Sequence, residues 1–258
     1  MRLRWIRRPV VGAPPPGAVF EFDKLRAEAM ERFGGVPSRE FDGVFAAAAK
    51  KHPFKGLVMP VSYMRALAQA ESSMNPREET GSKRGLFSIG RPVVDDVNKK
   101  TGASFSMEEM FDPVDASFVF TAYWQHIIAP VLARHADTRF GRNLQVDWNN
   151  PEYALLVTAS WNSGVGVVED MVKKILKRGE LVTHNALAAQ RDREPLLAPP
   201  GFRQPRVLLR FQKLVFQRSV VGLFLLGEAI DPTIIRAKRV GLSGWGWLIV
   251  LALLSDEL

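Results

Sequence analysis

No cysteine occurs anywhere in the chain. That one absence excludes disulfide frameworks, zinc–thiolate centres and thiol nucleophiles, and leaves the redox compartment open. Histidine is scarce as well. His52, His126, His135 and His184 are the four present, and they fall at no metal-ligand spacing. His52 precedes Pro53 at a helix end and His135 falls in a last turn, where a cation suits the helix dipole. All four read as structural, and neither a metal nor another cofactor is expected. Strand-like alternation is nearly missing, with Phe87-Ser-Ile the best short β piece. Nothing repeats internally, and no Ser-His-Asp order points to a serine nucleophile. Gly164-Val-Gly166 lacks the further glycine and the preceding strand of a phosphate loop. The start, Met1-Arg-Leu-Arg-Trp-Ile-Arg-Arg-Pro9, is basic, but Pro9 and Pro14-Pro15-Pro16 interrupt any apolar core, so no secretory signal is expected.

What is present in excess is positive charge. The 258 residues carry a formal net charge of +8 and a sequence pI near 9.9. That balance favours an anionic partner such as a carboxylate-bearing polymer or an anionic membrane surface, or serves solubility alone. No nucleic-acid motif accompanies it, so no specific nucleic-acid partner is expected.

The chain divides into four regions. Residues 1–35 form a basic, proline-rich arm with a charged helical pattern from Phe20 to Phe33, closed by Gly34-Gly35. Residues 36–190 carry helical patterning of mainly α class. Residues 191–218 are rich in proline and arginine and read as a linker or wrapping segment. Residues 219–258 hold two uncharged runs. The second, Val240 to Leu254, has fifteen residues, short of the roughly 20 that span a bilayer as a helix. Trp245 and Trp247, with Arg236, Lys238 and Arg239 just upstream, suit a membrane interface; burial against protein is the other reading.

Helix punctuation is clear in the second region. Ser38 predicts a capped start for a helix running to His52-Pro53. Asp112-Pro113 and Asn150-Pro151-Glu152 each place a capping side chain before a proline at the first helical position. The Asp112 helix presents Phe118, Ala122, Gln125 and Ala129 on one face, and Pro130 kinks or splits it. The Asn150 helix ends at Trp161-Asn162, and Val168, Met171 and Ile175 mark one more amphipathic helix before Gly179.

The segment from Pro60 to Asn75-Pro76 carries the candidate chemistry. Val61, Met64, Ala68 and Glu71 recur at steps of three, four and three, one stripe of a helix. A carboxylate on an apolar stripe is rarely buried without a partner or a task. Burial raises its pKa, as a general acid near neutral pH requires. The alternative is a side chain at a frayed helix end, turned to water.

Glu71-Ser72-Ser73 is followed by Gly81-Ser-Lys-Arg-Gly85-Leu-Phe-Ser-Ile-Gly90 and, far downstream, by Ala159-Ser-Trp161-Asn162-Ser-Gly164. This ordered set resembles the lytic transglycosylase family of the lysozyme superfamily, in its soluble-transglycosylase and goose-type-lysozyme branch. That family reads Glu-Ser, a Gly-Leu-Met-Gln-like turn, and Ala-Tyr-Asn-Ala-Gly. The resemblance covers roughly residues 40 to 180. Ser88 stands where the family has glutamine and Trp161 where it has tyrosine; a later family tyrosine has no counterpart, the nearest region being Arg203 to Phe211.

The resemblance implies a lysozyme-like helical domain that cuts peptidoglycan glycan strands between N-acetylmuramic acid and N-acetylglucosamine. Glu71 would be the catalytic acid and then base, closing a 1,6-anhydro sugar. Ser72 would hold its rotamer, Asn162 would contact substrate or the carboxyl, Gly85 and Leu86 would shape the cleft wall, and Ser88 would face substrate. Trp161 could stack on a sugar or belong to the core. A hydrolase would need a second carboxylate; Glu78 and Glu79 are candidates, although Arg77, Lys83 and Arg84 beside them favour a solvated loop. With no signal expected, a phage virion component acting in the bacterial envelope fits, with other virion subunits as partners and possible membrane contact through 219–258. A structural virion or channel part that keeps a vestigial lysozyme-like domain is the alternative.

Overall fold

Helices dominate the structure, a computed structural model that describes residues 27–33, 37–193 and 220–224. In chain order they are α1 (27–33), α2 (Asp42–Lys51), α3 (Val61–Ser72), α4 (Arg91–Thr101), α5 (Pro113–Tyr123), α6 (Ala129–Arg134), α7 (Pro151–Ser163), α8 (Val165–Lys177) and α9 (His184–Arg193). Between α3 and α4 lie three two-residue strands, β1 (Glu79–Thr80), β2 (Lys83–Arg84) and β3 (Ile89–Gly90), paired antiparallel in the order β1-β2-β3. The proline-rich arm before residue 27, the linker beyond Arg193 and residues 225–258 lie outside the described residues. Helix α9 continues through position 190, where the patterning changes to proline and arginine.

Capping chemistry sets two of the starts. The Asp112 side chain accepts from the amides of Val114 at 2.7 Å and Asp115 at 3.3 Å, with Pro113 as the first residue of α5. Asn150 accepts from the Glu152 amide at 3.0 Å ahead of Pro151. Each such cap stabilises its helix by about 1 kcal/mol. Ser38 behaves differently from expectation. Its hydroxyl accepts from the Glu40 amide at 3.2 Å, closing a turn, and α2 begins only at Asp42. Helix α4 carried usable signals that the periodicity did not bring out. They are Pro92 near its start, Val94 and Val97 facing inward, and the left-handed Gly102 as its stop.

Helices α5 and α6 form one helical run from Pro113 to Arg134, and it is the central element of the core. It is long and apolar enough to cross a membrane, yet it is largely buried inside the domain. Ala116, Ser117, Val119, Phe120, Thr121, Ala122 and Tyr123 are all buried, so this helix is covered nearly all round rather than on one face. Pro130 has the expected effect just upstream of itself. Residues Trp124–Ile128 form a π turn in which the Ala129 amide reaches the Trp124 carbonyl, because a proline cannot donate the next helical bond.

A chain of aromatic rings crosses the core. Phe41 meets Phe45, Phe45 meets Phe87, Phe87 stacks on Phe120 with centroids 4.5 Å apart, and Phe120 meets the Trp161 edge at 4.9 Å. Such pairs each add roughly 0.5–1.5 kcal/mol beyond area burial. They connect α2, the β hairpin, α5 and α7. A second cluster joins Tyr63, Trp148, Trp124 and Tyr153. Val220, Val221, Leu223 and Phe224 are buried against this core, the Phe224 ring lying 5.8 Å from Tyr63. For residues 220–224 of the C-terminal segment, burial against protein is the arrangement found.

Candidate active site

Helix α3 is held rigidly before it reaches Glu71. Arg65, 2% exposed, makes a two-bond ion pair with Asp42 of α2 at 2.9 and 3.0 Å. The Tyr63 hydroxyl lies 2.9 Å from Thr158 of α7. Pro60 is an extended N-cap, with Val61 the first helical residue. The far end is unusual. Ser73 and Met74 both adopt left-handed backbone, φ 54° and 64°, and their amides return to the carbonyls of Gln69 and Ala68. Non-glycine residues in that region each store on the order of 1–3 kcal/mol, and here the strain sits within three residues of Glu71.

Met64 and Ala68 of the predicted stripe are buried, and Glu71 lies half-buried at its end. Burial pushes the Glu71 carboxyl up from 4.5 to about 7, because a low-dielectric surround disfavours the anion. Three neighbours pull the other way: the Lys83 ammonium, the Ser88 hydroxyl and the Trp161 indole, the last two by hydrogen bonds to the side chain. The result is a carboxyl that is protonated for part of the time at neutral pH and still partly open to solvent.

The hairpin region packs against the end of α3. Ser72 is buried, its hydroxyl bonded to the carbonyls of Ala68 at 3.0 Å and Leu86 at 2.9 Å. That position makes it a brace between α3 and the hairpin. Gly85 and Leu86 are likewise buried. Gly85 takes φ +74°, and a Cβ there would collide with the Met110 carbonyl, so only glycine lets the hairpin seat on the 3-10 turn Glu108–Phe111. Ser88 is also left-handed, φ 49°, with its hydroxyl 3.3 Å from the Glu71 main-chain carbonyl.

Glu78 and Glu79 are engaged within their own loop. Glu78 accepts from Asn75 at 3.4 Å and Thr80 at 3.1 Å, and Glu79 pairs with Arg84 at 3.2 Å. Both carboxylates thus have partners within the charged loop that carries them. Trp161, at the end of α7, packs edge-on against Phe120 and Tyr123. Asn162 follows it, half-buried. Lys83 acts on Glu71 although no sequence pattern announces it, because nothing local shows that β2 folds back toward that carboxyl.

Outside this region, His52 is buried with its ring nitrogen 2.9 Å from the Thr121 hydroxyl, and burial lowers it from 6.5 to about 4. His135 faces Glu169 at 3.3 Å. Among the described residues, no group of three or more His, Asp or Glu side chains is placed to hold a metal ion.

No protein-family model matches the chain, and no curated protein sequence matches it. Among solved structures, the 70 kDa soluble lytic transglycosylase of Escherichia coli is similar, with a TM-score of 0.50 at 16% identity. The match covers 82% of this chain and 29% of that one. The chain thus spans less than a third of that enzyme's length. The likeness is one of fold: a mainly helical, lysozyme-like domain of the soluble lytic transglycosylase type.

Proposed function

We propose that this protein cleaves the β-1,4 bond between N-acetylmuramic acid and N-acetylglucosamine in peptidoglycan, as a lytic transglycosylase with Glu71 as its acid and base. The observation that carries this reading is the half-buried Glu71 carboxyl, raised to about 7 at a strained helix end. The lysozyme-like fold and the order of the three motifs support it.

In the first step Glu71 gives its proton to the leaving O4 as the C1–O4 bond breaks and positive charge develops at C1. The carboxylate so formed then takes the proton of the C6 hydroxyl while that oxygen bonds to C1. One glycosidic bond is broken, one internal ether is made, water is not consumed, and Glu71 regains its proton. One carboxyl suffices, which accords with Glu78 and Glu79 being occupied in a surface loop. The net charge of +8 suits a polymer bearing stem-peptide carboxylates.

Purified cell walls test the reading. Glu71→Gln should reduce muropeptide release at least about a hundredfold, the range for loss of a general acid. Mass spectrometry of the products should find 1,6-anhydro ends. Reducing ends would make the enzyme a hydrolase, and undiminished release by Glu71→Gln would remove Glu71 from the mechanism.

A further inference from the structure

The turn that joins α2 to α3 carries an apolar tip on a basic ground. Phe54 and Leu57 exchange both backbone hydrogen bonds, at 2.9 and 3.0 Å, around Lys55 and Gly56. Lys55 at φ 50° and Gly56 at φ 83° are both left-handed, the pair that a two-residue type I′ turn requires. The base of the turn is fixed. The Gln125 side chain donates to the Pro53 carbonyl at 2.7 Å, and the Phe54 ring lies edge-on to the enclosed Trp124. The tip is bare. Leu57 is 41% and Val58 46% exposed, two consecutive aliphatic side chains on an otherwise anchored segment.

Around that tip the charge has one sign. Lys50, Lys51 and Lys55 are exposed, and among the described residues none of them is paired with a carboxylate. The Lys51 and Lys55 ammonium groups lie instead over the Phe118 and Phe54 rings, at 5.8 and 5.6 Å. No Asp or Glu occurs between Asp42 and Glu71, or between Asp115 and Asp137, the two stretches that meet here. The first place of such a turn suits asparagine, aspartate or glycine, so the turn itself does not ask for lysine. A soluble polyanion would match the lysines and leave Leu57 and Val58 in water. An apolar protein partner would match the aliphatics and bury unpaired cations. An anionic bilayer surface suits both at once.

We propose that the turn from Lys55 to Val58 docks on an anionic lipid bilayer. Leu57 and Val58 enter the acyl boundary, and Lys50, Lys51 and Lys55 meet the headgroup phosphates. The inference is independent of the chemistry at Glu71. Val61 and Glu71 are about 15 Å apart along α3 at 1.5 Å per residue, so the turn and the carboxyl belong to opposite ends of one helix.

Because the chain lacks cysteine, one introduced thiol reports one place. Full-length Val58→Cys carrying a nitrobenzoxadiazole label is mixed with vesicles of phosphatidylglycerol and phosphatidylcholine. Val167→Cys, at an α8 position 54% exposed, is the control. The Val58 label should shift to the blue and be quenched by spin-labelled lipid, while the Val167 label stays in water. Vesicles of phosphatidylcholine alone should give no shift. Replacing the three lysines by glutamine should weaken vesicle binding about a hundredfold, at about fivefold for each charge. Lys55→Asn removes one charge and suits the turn, so binding should fall about fivefold while the melting temperature holds or rises. Vesicle binding with the Val58 label unquenched moves the contact elsewhere in the chain and overturns the proposal. A Val58 label already blue-shifted without lipid and indifferent to vesicles means that protein covers the turn, the chain's own or a second copy's, and overturns it equally. An equal shift with soluble polyphosphate in place of vesicles identifies a polyanion site and does the same. None of these readings uses muropeptide release, so neither proposal falls with the other.

Discussion

One carboxyl, Glu71, sits where burial and a cation act against each other. Burial is the larger effect and Lys83 the first of those that oppose it. In the proposed reaction the acid form performs the first step, so kcat/KM should hold below about pH 7 and fall above it as the proton is lost. Lys83→Met removes a charge that favours the anion, and the falling limb should move to higher pH. A pH series of muropeptide release reads that shift, and a limb that stays in place would deny Lys83 its influence. Glu71 was legible in the sequence because Met64 and Ala68 share its stripe and both are buried. Lys83 was not, since its approach depends on a strand pairing of two residues that leaves no periodic trace. Trp161 was half legible. Its type marked a helix end near the site, but a ring at such an end can turn to solvent or to the core. Here Phe120 and Tyr123 hold it inward.

Among the elements, the hairpin is the one whose seating decides the site. Gly85 combines a left-handed φ with direct apposition to the Met110 carbonyl, and the adjacent Leu86 carbonyl receives the Ser72 hydroxyl. Gly85→Ala imposes both a strained dihedral and a displaced backbone. It should destabilise the domain by on the order of 3 kcal/mol, measured as a lowered denaturant midpoint. A variant as stable as the parent would mean that the hairpin adjusts freely. Elements announced by paired signals were readable: Asp112-Pro113 and Asn150-Pro151 fix the starts of α5 and α7 to the residue. Ser38 misled because serine bonds as readily within a turn as at a helix start, and its partner here is the Glu40 amide. Phe87-Ser-Ile marked the approach to β3, which it meets at Ile89, whereas β1 and β2 left no sign because two residues cannot display an alternation.

For the whole molecule, the half-buried Glu71 and the buried His52 tilt stability in opposite directions with pH. Folded Glu71 keeps its proton up to about pH 7, while an unfolded glutamate releases it near 4.5. Stability is therefore lost as pH rises through that window, by about 3 kcal/mol at 1.36 kcal/mol per pH unit. His52 acts inversely. Folded, it stays neutral down to about 4, while the unfolded ring binds a proton below 6.5, so its contribution is lost as pH falls through that range. Between about 4.5 and 6.5 the two slopes oppose. Glu71→Gln removes one of them, so the variant should match the parent near pH 4.5 and exceed it by about 3 kcal/mol at pH 8. Chemical denaturation at the two pH values checks this, and a constant difference would place Glu71 in open water. Eight of the twelve residues of α3 are buried, among them the arginine of an enclosed ion pair. A mutational library aimed at that helix would return mostly unfolded clones. Substitutions are better placed along the largely exposed loop from Arg77 to Lys83, where the surface tolerates change and the last residue, Lys83, still acts on the Glu71 carboxyl.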